Sequence, residues 1–327
     1  MASSLDRASQ ASLFDRFEWL ELLHRHCMPE QAVDILHACE GDAQAWLCLA
    51  DSGRRGRTAI ANWYSFGVRP LFSGAPDEAT RERLVATLTH RLAKRVSSVS
   101  LYPMTNDDED LGIMTKALRS AGWITRVRAM GINSILDLES RNFDAYWSDR
   151  PTRLRKLVSR KGKQGTLAFT IHCDITDALW ADYLHVYDKS WKSSEPYYSF
   201  LMALAKQEAR AGTLRLGFAR KNGVPVAAQL WTVENGVALI HKLAHDAAHD
   251  ADSPGTLLSH HMFRAAIDQD RVSRIDYGTG NNAYKADWME RQRTLYRIEA
   301  YNPRFASAWP GAGRTWISRL VGRRFTR

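Results

Sequence analysis

The chain has 327 residues, of which 45% are hydrophobic and 25% are charged. This balance excludes a disordered chain, and the length suits two domains of roughly 150 residues each. The cysteines show no CxxC pairing, so we predict neither a disulfide framework nor a zinc site. No segment approaches the roughly 18 apolar residues of a membrane helix, and the first residues lack the pattern of an export signal. A cytoplasmic protein is expected, and a peripheral position at the inner face of the membrane is left open.

The net charge of +9 predicts an anionic partner. A polyphosphate cofactor, an acidic lipid surface and a nucleic acid all meet this requirement. Charge alone does not choose among them.

The first half of the chain has mixed helical and strand periodicity. Apolar residues at helical spacing predict a helix at 13–27, and a second helix is expected at 31–39. Strand-like segments follow at 45–50, 58–64 and 97–102, with a helix at 77–95 before the last of them. A helix at 110–120 and two strands within 123–138 complete an N-terminal lobe, residues 1–150.

A segment rich in Lys and Arg, residues 149–163, begins near Pro151 and predicts a basic helix at the boundary between two lobes. Such a helix is either a solvated face or a contact with an anionic surface.

The second half has a clearer order of elements. A strand at 167–172 and helices at 178–189 and 198–210 precede three strands at 214–220, 224–233 and 237–244. Asn222-Gly223 and Asn235-Gly236 separate these three strands, and this dipeptide is a strong hairpin signal, so an antiparallel meander is predicted. A helix to residue 269, a strand at 273–277, a helix at 281–289 and a strand at 294–300 follow. We assign residues 151–305 to a C-terminal lobe and residues 306–327 to a basic tail.

The break Ser253-Pro254-Gly255 leads directly into the helix after the meander. A helix N-terminus presents unpaired N–H groups and a partial positive charge, and glycine lets the backbone approach a phosphate. The segment therefore predicts an anion-binding site after the third strand, although an ordinary capped turn has the same pattern.

Three segments in this half carry a family resemblance. Residues 253–258, then Ile275-Asp276-Tyr277-Gly278, then Tyr284-Lys285 with Trp288 resemble the CelD-like branch of the GNAT acyltransferases, which is related to the FemABX transferases. The resemblance spans roughly residues 149–303. It implies an α/β fold with a mixed sheet in two tandem GNAT-like lobes, of which the first is degenerate.

By the same resemblance, the protein is an N-acyltransferase that moves an acyl group from acyl-CoA to an amine by direct attack, without a metal. The amine would belong to a cell-envelope or lipid precursor: an amino sugar, a peptidoglycan amine or a sphingoid base. Acyl-CoA would lie against the strand at 237–244. The residues implied in donor binding are Ser253, Gly255, Thr256, Leu257 and Lys285.

The sequence departs from the broad GNAT signature at two positions. Asp252 stands three residues before Gly255, and Leu257 stands two residues after it. An acid beside the anion site keeps two alternatives open. One is transfer from aminoacyl-tRNA, as in FemABX relatives, and the other is a non-catalytic binding protein with the same fold.

Acyl transfer to an amine needs a base for the ammonium proton and an acid for the departing thiolate. His241 is the preferred base, and four-residue spacing on a strand would place it on one face with His245. Tyr284 is the preferred acid, and Asp276 is a further catalytic candidate. A packed His241, a turn-capping Asp276 paired with Lys285, and a space-filling Tyr284 are the structural alternatives.

The segment 187–198 combines aromatic and charged residues between two helices. It predicts one wall of the acceptor site, with Glu195 attracting the amine and the rings covering an apolar or sugar part. Core packing would explain the rings equally well. The candidate acceptor-binding residues are Tyr187, Trp191, Lys192, Glu195 and Tyr198.

Overall fold

The structure is a computed structural model, and it describes residues 1–107, 109–280 and 282–322. The predicted helix cap at residue 281 and the end of the predicted basic tail lie outside these residues. The helices of the described chain are α1 (Phe17–Cys27), α2 (Glu78–Ala93), α3 (Asp110–Ser120), α4 (Phe143–Ser148), α5 (Thr152–Gly162), α6 (Asp177–Asp188), α7 (Tyr198–Arg210), α8 (Pro254–Arg264), α9 (Ala283–Ala286) and α10 (Trp309–Gly322).

The strands belong to a mixed sheet, as an α/β fold requires. They are β1 (Val33–Glu40), β2 (Ala43–Asp51), β3 (Gly56–Ala59), β4 (Leu71–Ser73), β5 (Ser98–Met104), β6 (Ile124–Asp137), β7 (Ala168–His172), β8 (Leu214–Lys221), β9 (Val224–Glu234), β10 (Val237–His245), β11 (Arg274–Thr279) and β12 (Arg291–Tyr301). In the part of the chain that the structure describes, no helix combines the length and apolarity that crossing a bilayer needs.

The chain divides into two compact units. The first is Met1–Ile132 together with the chain from Thr294 onward, and the second is Asn133–Arg293. These bounds differ from the lobe boundary expected near residue 150, because the end of β6 pairs with β11 and so lies with the second unit. Most of β12 belongs to the first unit, where it pairs antiparallel with β5. The assignment of residues 1–150, 151–305 and 306–327 to lobes and a tail stays a prediction.

In the first unit the strand order is β1-β2-β3-β5-β12-β6, with β4 paired to β2. Helices α2 and α3 pack together, and apolar residues of α2 such as Leu84, Leu88 and Leu92 are buried against the strands. This unit thus has its own hydrophobic core.

Two expectations for this unit were wrong. Residues expected as a helix at 31–39 form β1, because Leu36 and Ala38 alternate with exposed neighbours and pair with β2, which is the period of a strand with one buried face. The two strands expected within 123–138 are one long strand, β6, whose length lets it pair with β11 near its end.

In the second unit the order is β6-β11-β10-β9-β8-β7. The meander of β8, β9 and β10 is antiparallel as predicted. Its two turns have positive φ at both central residues, Asn222-Gly223 and Asn235-Gly236, which is the geometry of the tight hairpin that this dipeptide favours. The prediction of the meander is therefore confirmed.

The sheet of the second unit is covered on both faces. Helix α8 packs on one face against residues such as Ala227 and Trp231, and α6 packs on the other against Ala228 and Leu230. Side chains alternate between the faces along a strand, so the cross-strand partner of each β10 residue tells which helix layer it faces.

Candidate functional site

The site begins where two parallel strands separate. β10 and β11 pair in parallel over three residue pairs, Val237↔Arg274, Ala238↔Ile275 and Leu239↔Asp276. Beyond Leu239 the ladder between them stops, while β10 continues along β9 to His245. A ladder that ends while both strands continue leaves their backbone groups facing a gap, and such a gap in an α/β sheet is a usual place for a ligand.

A β-bulge at His241 changes the direction of the side chains along β10. Ile240 pairs with Trp231 and Lys242 pairs with Leu230, so His241 is the extra residue. Lys242 therefore faces the α6 side of the sheet, as Leu230 does, and His245 faces the α8 side with its partner Ala227. The bulge breaks the alternation that would have placed His241 and His245 on one face.

Helix α8 begins at the same end of these strands, beside His245. Its first residue is Pro254, and Ser253 precedes it in the left-handed region with a φ of 55° and no capping bond from its side chain. The amide of Leu257 donates to the carbonyl of Ser253. Among the described residues, the amides of Gly255 and Thr256 have no hydrogen-bond acceptor in the protein. Two donors at the positive end of a helix dipole are available to an anion.

The acids around this helix start are already paired. Lys221 Nζ lies 2.6 Å from Asp252 Oδ2, and this contact lowers the pKa of Asp252. Asp250 Oδ1 lies 2.7 Å from Nε2 of His245. The acid that departs from the GNAT signature is thus compensated by a lysine, and it does not leave a free negative charge beside α8.

The absence of a side chain at Gly255 has a local cause. A Cβ at this position would lie 3.0 Å from Nδ1 of His245, so the ring of His245 occupies the space that a larger residue would need. The side chain of Leu257 is buried in the core between α8 and the sheet. Of the residues predicted to bind the donor, Gly255 and Thr256 offer free amides, and Ser253 and Leu257 shape the turn.

Tyr284 on α9 reaches α8 through its hydroxyl. The hydroxyl lies 3.0 Å from Oγ of Ser259, which is buried. Ser259 in turn accepts a hydrogen bond from Nε2 of Gln229 at 2.8 Å. Burial raises the pKa of Tyr284, and hydrogen bonds from Ser259 and Thr256 lower it, so the phenol remains protonated at neutral pH.

The orientation of this network follows from its last member. The indole N–H of Trp231 is only a donor, and it donates to Oε1 of Gln229 at 2.9 Å. Gln229 must therefore present its NH₂ group to Ser259, which leaves the Ser259 hydroxyl hydrogen free to point at the Tyr284 oxygen. Either hydroxyl can be the donor between Ser259 and Tyr284, and where Ser259 donates, the Tyr284 proton is available to a group outside the network.

Asp276 has the contacts of a buried structural carboxylate. Its oxygens accept from the amide of Gly278 at 2.8 Å, from Nδ2 of Asn133 at 2.9 Å and from Nη2 of Arg293 at 3.1 Å. Burial raises its pKa, and Arg293 opposes that shift. These contacts fit the turn-capping alternative better than a catalytic role.

Lys285 fastens the end of β11. Its Nζ donates to the carbonyls of Tyr277 at 2.9 Å, Gly278 at 3.1 Å and Thr279 at 2.7 Å. An ammonium has three donors, and these carbonyls use all of them. Burial lowers the pKa of Lys285 to about 8. The predicted role in donor binding would require Lys285 to release carbonyls that it holds at the strand end.

His241 lies near the opening but has the environment of a packed residue. Its Nε2 lies 2.9 Å from the hydroxyl of Thr232. Burial, together with the neighbouring ammonium of Lys242, lowers its pKa to about 3. An imidazole with so low a pKa is a weak acceptor for the proton of an ammonium ion, so the geometry does not favour His241 as the base.

Three of the predicted acceptor-binding residues meet on the α6 side of β10. Glu195 is buried, and it forms an ion pair with Lys242. The hydroxyl of Tyr187 donates to Glu195 at a long 3.5 Å, and the ammonium of Lys192 lies 5.8 Å from the centre of the Tyr187 ring. Contrary to the expectation from the sequence, Glu195 is compensated by a lysine and is not a free attractant for an amine.

The other two candidates lie at the edge of this group. Tyr198 donates its hydroxyl to Oδ1 of Asp188 at 2.9 Å, and its ring meets that of Tyr187 edge to face. Trp191 is 56% exposed, with its ring 4.4 Å from that of His245. Trp191 thus lies close to the start of α8.

Sequence reasoning missed the residues that support the candidates. Lys242, Gln229 and Ser259 gave no motif of their own, since their importance depends on which side chains they meet. Ser259 alone had a readable signal, because it follows Gly255 by four residues on α8 and so lies on the same face of that helix.

A family model for the acetyltransferase (GNAT) domain matches residues 148–286. The matched segment includes β10, α8, β11 and Tyr284. The chain is an acyltransferase. A comparison with curated proteins gives no match.

Solved structures share the fold of the whole chain at low identity. The C-terminal domain of an Agrobacterium fabrum protein named as a lysylphosphatidylglycerol synthetase has 14% identity and a TM-score of 0.56, over 92% of this chain and 96% of that chain. FemX has 8% identity and a TM-score of 0.61, over 88% and 92%. A tandem GNAT protein from the clavulanic acid biosynthesis pathway has 13% identity and a TM-score of 0.50, over 86% and 93%.

These likenesses confirm the predicted fold class, an α/β protein of tandem GNAT-like architecture. The assignment to the CelD-like branch stays a prediction. Among the described residues, no group of three or more His, Cys, Asp or Glu side chains is arranged to hold a metal ion.

Proposed function

We propose that this acyltransferase moves an acyl group from acyl-CoA to an amine of a cell-envelope or lipid precursor by direct attack. The observation that carries the proposal is the gap between β10 and β11, which opens beside two free amides of α8 and the hydroxyl of Tyr284. An extended thioester donor can lie along the unpaired edge of β10 while its pyrophosphate meets the amides.

The chemistry follows from this placement. The neutral amine attacks the thioester carbonyl, and the carbon–sulfur bond then breaks to release the thiolate. Tyr284 donates its proton to that sulfur, so the products are the amide and CoA thiol. The amine gives its proton to water, and Tyr284 regains one from solvent. The step needs no covalent enzyme intermediate.

The likeness to FemX and to a protein named for lysylphosphatidylglycerol supports an acceptor of the cell envelope. Within that class an amino sugar, a peptidoglycan amine and a sphingoid base remain the candidates.

Thermal shift and thiol release test the proposal together. A ligand that binds only the folded protein raises its melting temperature, so acetyl-CoA or a long-chain acyl-CoA should raise Tm where free pantetheine does not. Release of CoA thiol should then depend on an added amine. A protein that no acyl-CoA stabilises, and that releases no thiol with any of the three amine classes, would contradict the proposal.

Aminoacyl-tRNA is the second candidate donor, and a feature of α5 favours it. Arg153 pairs with Asp287, whereas Lys156, Arg160 and Lys163 on the exposed side of the helix have no ion pair among the described residues. Free cations on one helix face suit a phosphate backbone. Salt-dependent binding of tRNA by the protein, seen as a shift in the electrophoretic mobility of the tRNA, would support this donor instead if acyl-CoA does not raise the melting temperature of the protein.

A further inference from the structure

Among the described residues, the cluster on the α6 side of β10 contains one ion pair and one further ammonium, with Asp188 at its edge bonded to Tyr198. Its acid is Glu195, whose carboxylate also accepts from the amide of Tyr197 at 3.2 Å. Lys242 compensates Glu195, with side chains only 13% and 2% exposed. Lys192 adds a second ammonium. A partly buried cation without its own carboxylate favours an anion as its partner.

Lys192 lies near the end of β10, because its Nζ is 5.8 Å from the centre of the Trp191 ring, and that ring lies 4.4 Å from the ring of His245. Burial, the largest cause, and the ammonium groups of Lys242 and Lys285 together lower the pKa of Lys192 to about 8, against the opposing effect of Glu195. Its remaining neighbours are the rings of Tyr187 and Trp191, each 5.8 Å from Nζ, and no carboxylate of the described chain lies within ion-pair distance.

Lys242 and the start of α8 lie on opposite faces of β10, and the ring of Trp191 lies between Lys192 and His245 at the end of the strand. The free amides of Gly255 and Thr256 lie on the α8 face, beside His245. Lys242 and Glu195 lie on the α6 face. Because the proposed function assigns the free amides of α8 to the pyrophosphate of the donor, we assign a group held at Lys192 to the acceptor.

We propose that Lys192 binds an anionic group, a carboxylate or a phosphate, carried by the amine acceptor. The inference rests on the proposed function for the identity of the acceptor. The sequence predicted that a negative side chain, Glu195, attracts the amine of the acceptor, whereas the proposed contact is a positive side chain that binds an anionic group of the acceptor. The acceptor class thus narrows to amines that carry a carboxylate or a phosphate close to the nucleophile.

Chemical labelling tests the subsite without requiring turnover. The native protein is treated with trace isotopic acetic anhydride, with and without saturating acetate or methyl phosphate, and labelling of each lysine is read by mass spectrometry. Lys206, exposed on α7, serves as the internal control. A bound anion raises the pKa of Lys192 by roughly one unit, so its labelling at neutral pH should fall about tenfold while that of Lys206 stays unchanged.

The arms of the experiment separate the sources of the anion. Protection by acetate alone indicates a carboxylate acceptor, and protection by methyl phosphate alone indicates a phosphorylated one. Equal labelling of Lys192 with and without both probes would overturn the proposal. So would protection by CoA where both small anions fail, since the anion would then belong to the donor.

Kinetics with a matched acceptor series adds an independent test. Ethanolamine, β-alanine and O-phosphoethanolamine share a two-carbon amine and differ in charge. The wild type should favour an anionic member, Lys192→Gln should lose that preference through a higher KM, and Lys192→Arg should keep it. The preference should fade as pH rises through about 8, where Lys192 loses its charge while Tyr187, with a pKa raised by burial to about 12, stays neutral.

Two outcomes of the kinetic series count against different claims. Retention of the preference in Lys192→Gln would contradict the subsite. Inactivity toward all three amines, with Lys192 still protected in the labelling experiment, would count against the proposed function and not against the subsite.

Discussion

The hydroxyl of Tyr284 owes its orientation to side chains from two other elements. Trp231 and Gln229 come from β9 and Ser259 comes from α8, and their hydrogen bonds connect in a chain to the tyrosine. Either hydroxyl of the Ser259–Tyr284 pair can donate, and the proposed mechanism requires the arrangement in which Ser259 donates. The role of Tyr284 therefore depends on its neighbours as much as on its own pKa.

Replacement of Tyr284 by phenylalanine should lower kcat by on the order of a hundredfold with little change in donor affinity, as removal of a general acid does. Tyr146→Phe is the matched control, since its hydroxyl donates to the carbonyl of Trp288 and fills a structural role. The control should lose stability and keep its kcat. A near-wild-type kcat in Tyr284→Phe would remove the residue from the mechanism.

Ser259→Ala removes the hydrogen bond that orients the tyrosine. One such bond contributes about 1 kcal/mol, so kcat should fall about fivefold to tenfold. In a double-mutant cycle Ser259→Ala should have almost no effect on kcat once Tyr284 is phenylalanine, because phenylalanine has no hydroxyl for Ser259 to orient. Additive losses in kcat would show that Ser259 acts elsewhere.

Helix α8 and strand β11 each contribute one terminus to the site. The N-terminus of α8 offers two amides, and the C-terminal end of β11 is held by the ammonium of Lys285. Both termini lie where the ladder between β10 and β11 has stopped. The opening is a property of these element ends, and no single side chain creates it.

Gly255→Glu should weaken acyl-CoA binding by roughly tenfold or more, through repulsion of the pyrophosphate at the helix start. The new side chain also meets His245, so the measurement is repeated with His245→Ala, where the imidazole ring is removed. Gly112→Glu, in the first unit and with open space around it, controls for the added charge. Equal acyl-CoA affinity in folded Gly255→Glu and wild type, by calorimetry, would argue against the anion site.

Lys285→Met should lower the free energy of unfolding by about 1–3 kcal/mol, since three carbonyls at the end of β11 lose their donor. Chemical denaturation measures the change. If Lys285 instead binds the donor directly, acyl-CoA affinity would drop with stability unchanged, and that result would restore the role expected from the sequence.

At the scale of the whole molecule, the cations behind the net charge of +9 differ in whether they form ion pairs. Many arginines are used in ion pairs, such as Arg215 with Asp270 and Arg141 with Glu290. The cations of α5 at Lys156, Arg160 and Lys163 stay unpaired among the described residues. These three cations on α5 and at its C-terminal end are therefore among the positive charges that remain available to an anionic partner.

Reversal of Lys156, Arg160 and Lys163 to glutamate should weaken tRNA or anionic-vesicle binding and reduce its salt dependence, by about one unit of slope for each phosphate that the helix no longer neutralises. Acyl-CoA binding should not change, because the donor is proposed to meet α8. Filter binding over a salt series, with vesicle sedimentation in parallel, provides the measurement. Unaltered binding to both partners would identify the face as merely solvated.

The sequence by itself determined the order of the elements in the second unit. The two Asn-Gly turns fix the meander, and the Ser-Pro-Gly break fixes the start of α8, because these are local signals whose effect depends on backbone preferences nearby in the chain. The aromatic and charged segment 187–198 was predicted from the sequence as one wall of the acceptor site, and this assignment stays a prediction. Local periodicity predicted the wrong element at β1, because the strand conformation of these residues depends on their pairing with β2.

Only the tertiary structure decided what the candidate residues do. The bulge at His241 separated it from His245, the ion pair with Lys242 neutralised Glu195, and three carbonyls occupied Lys285. The first outcome depends on a one-residue shift of register, and the second depends on a partner 47 residues away, so neither leaves a pattern in the local sequence. The third depends on how the chain turns between Lys285 and the carbonyls six to eight residues before it. The proposed anion subsite at Lys192 follows from the pairing of Glu195 with Lys242, since the effect of a buried charge depends on the group it meets.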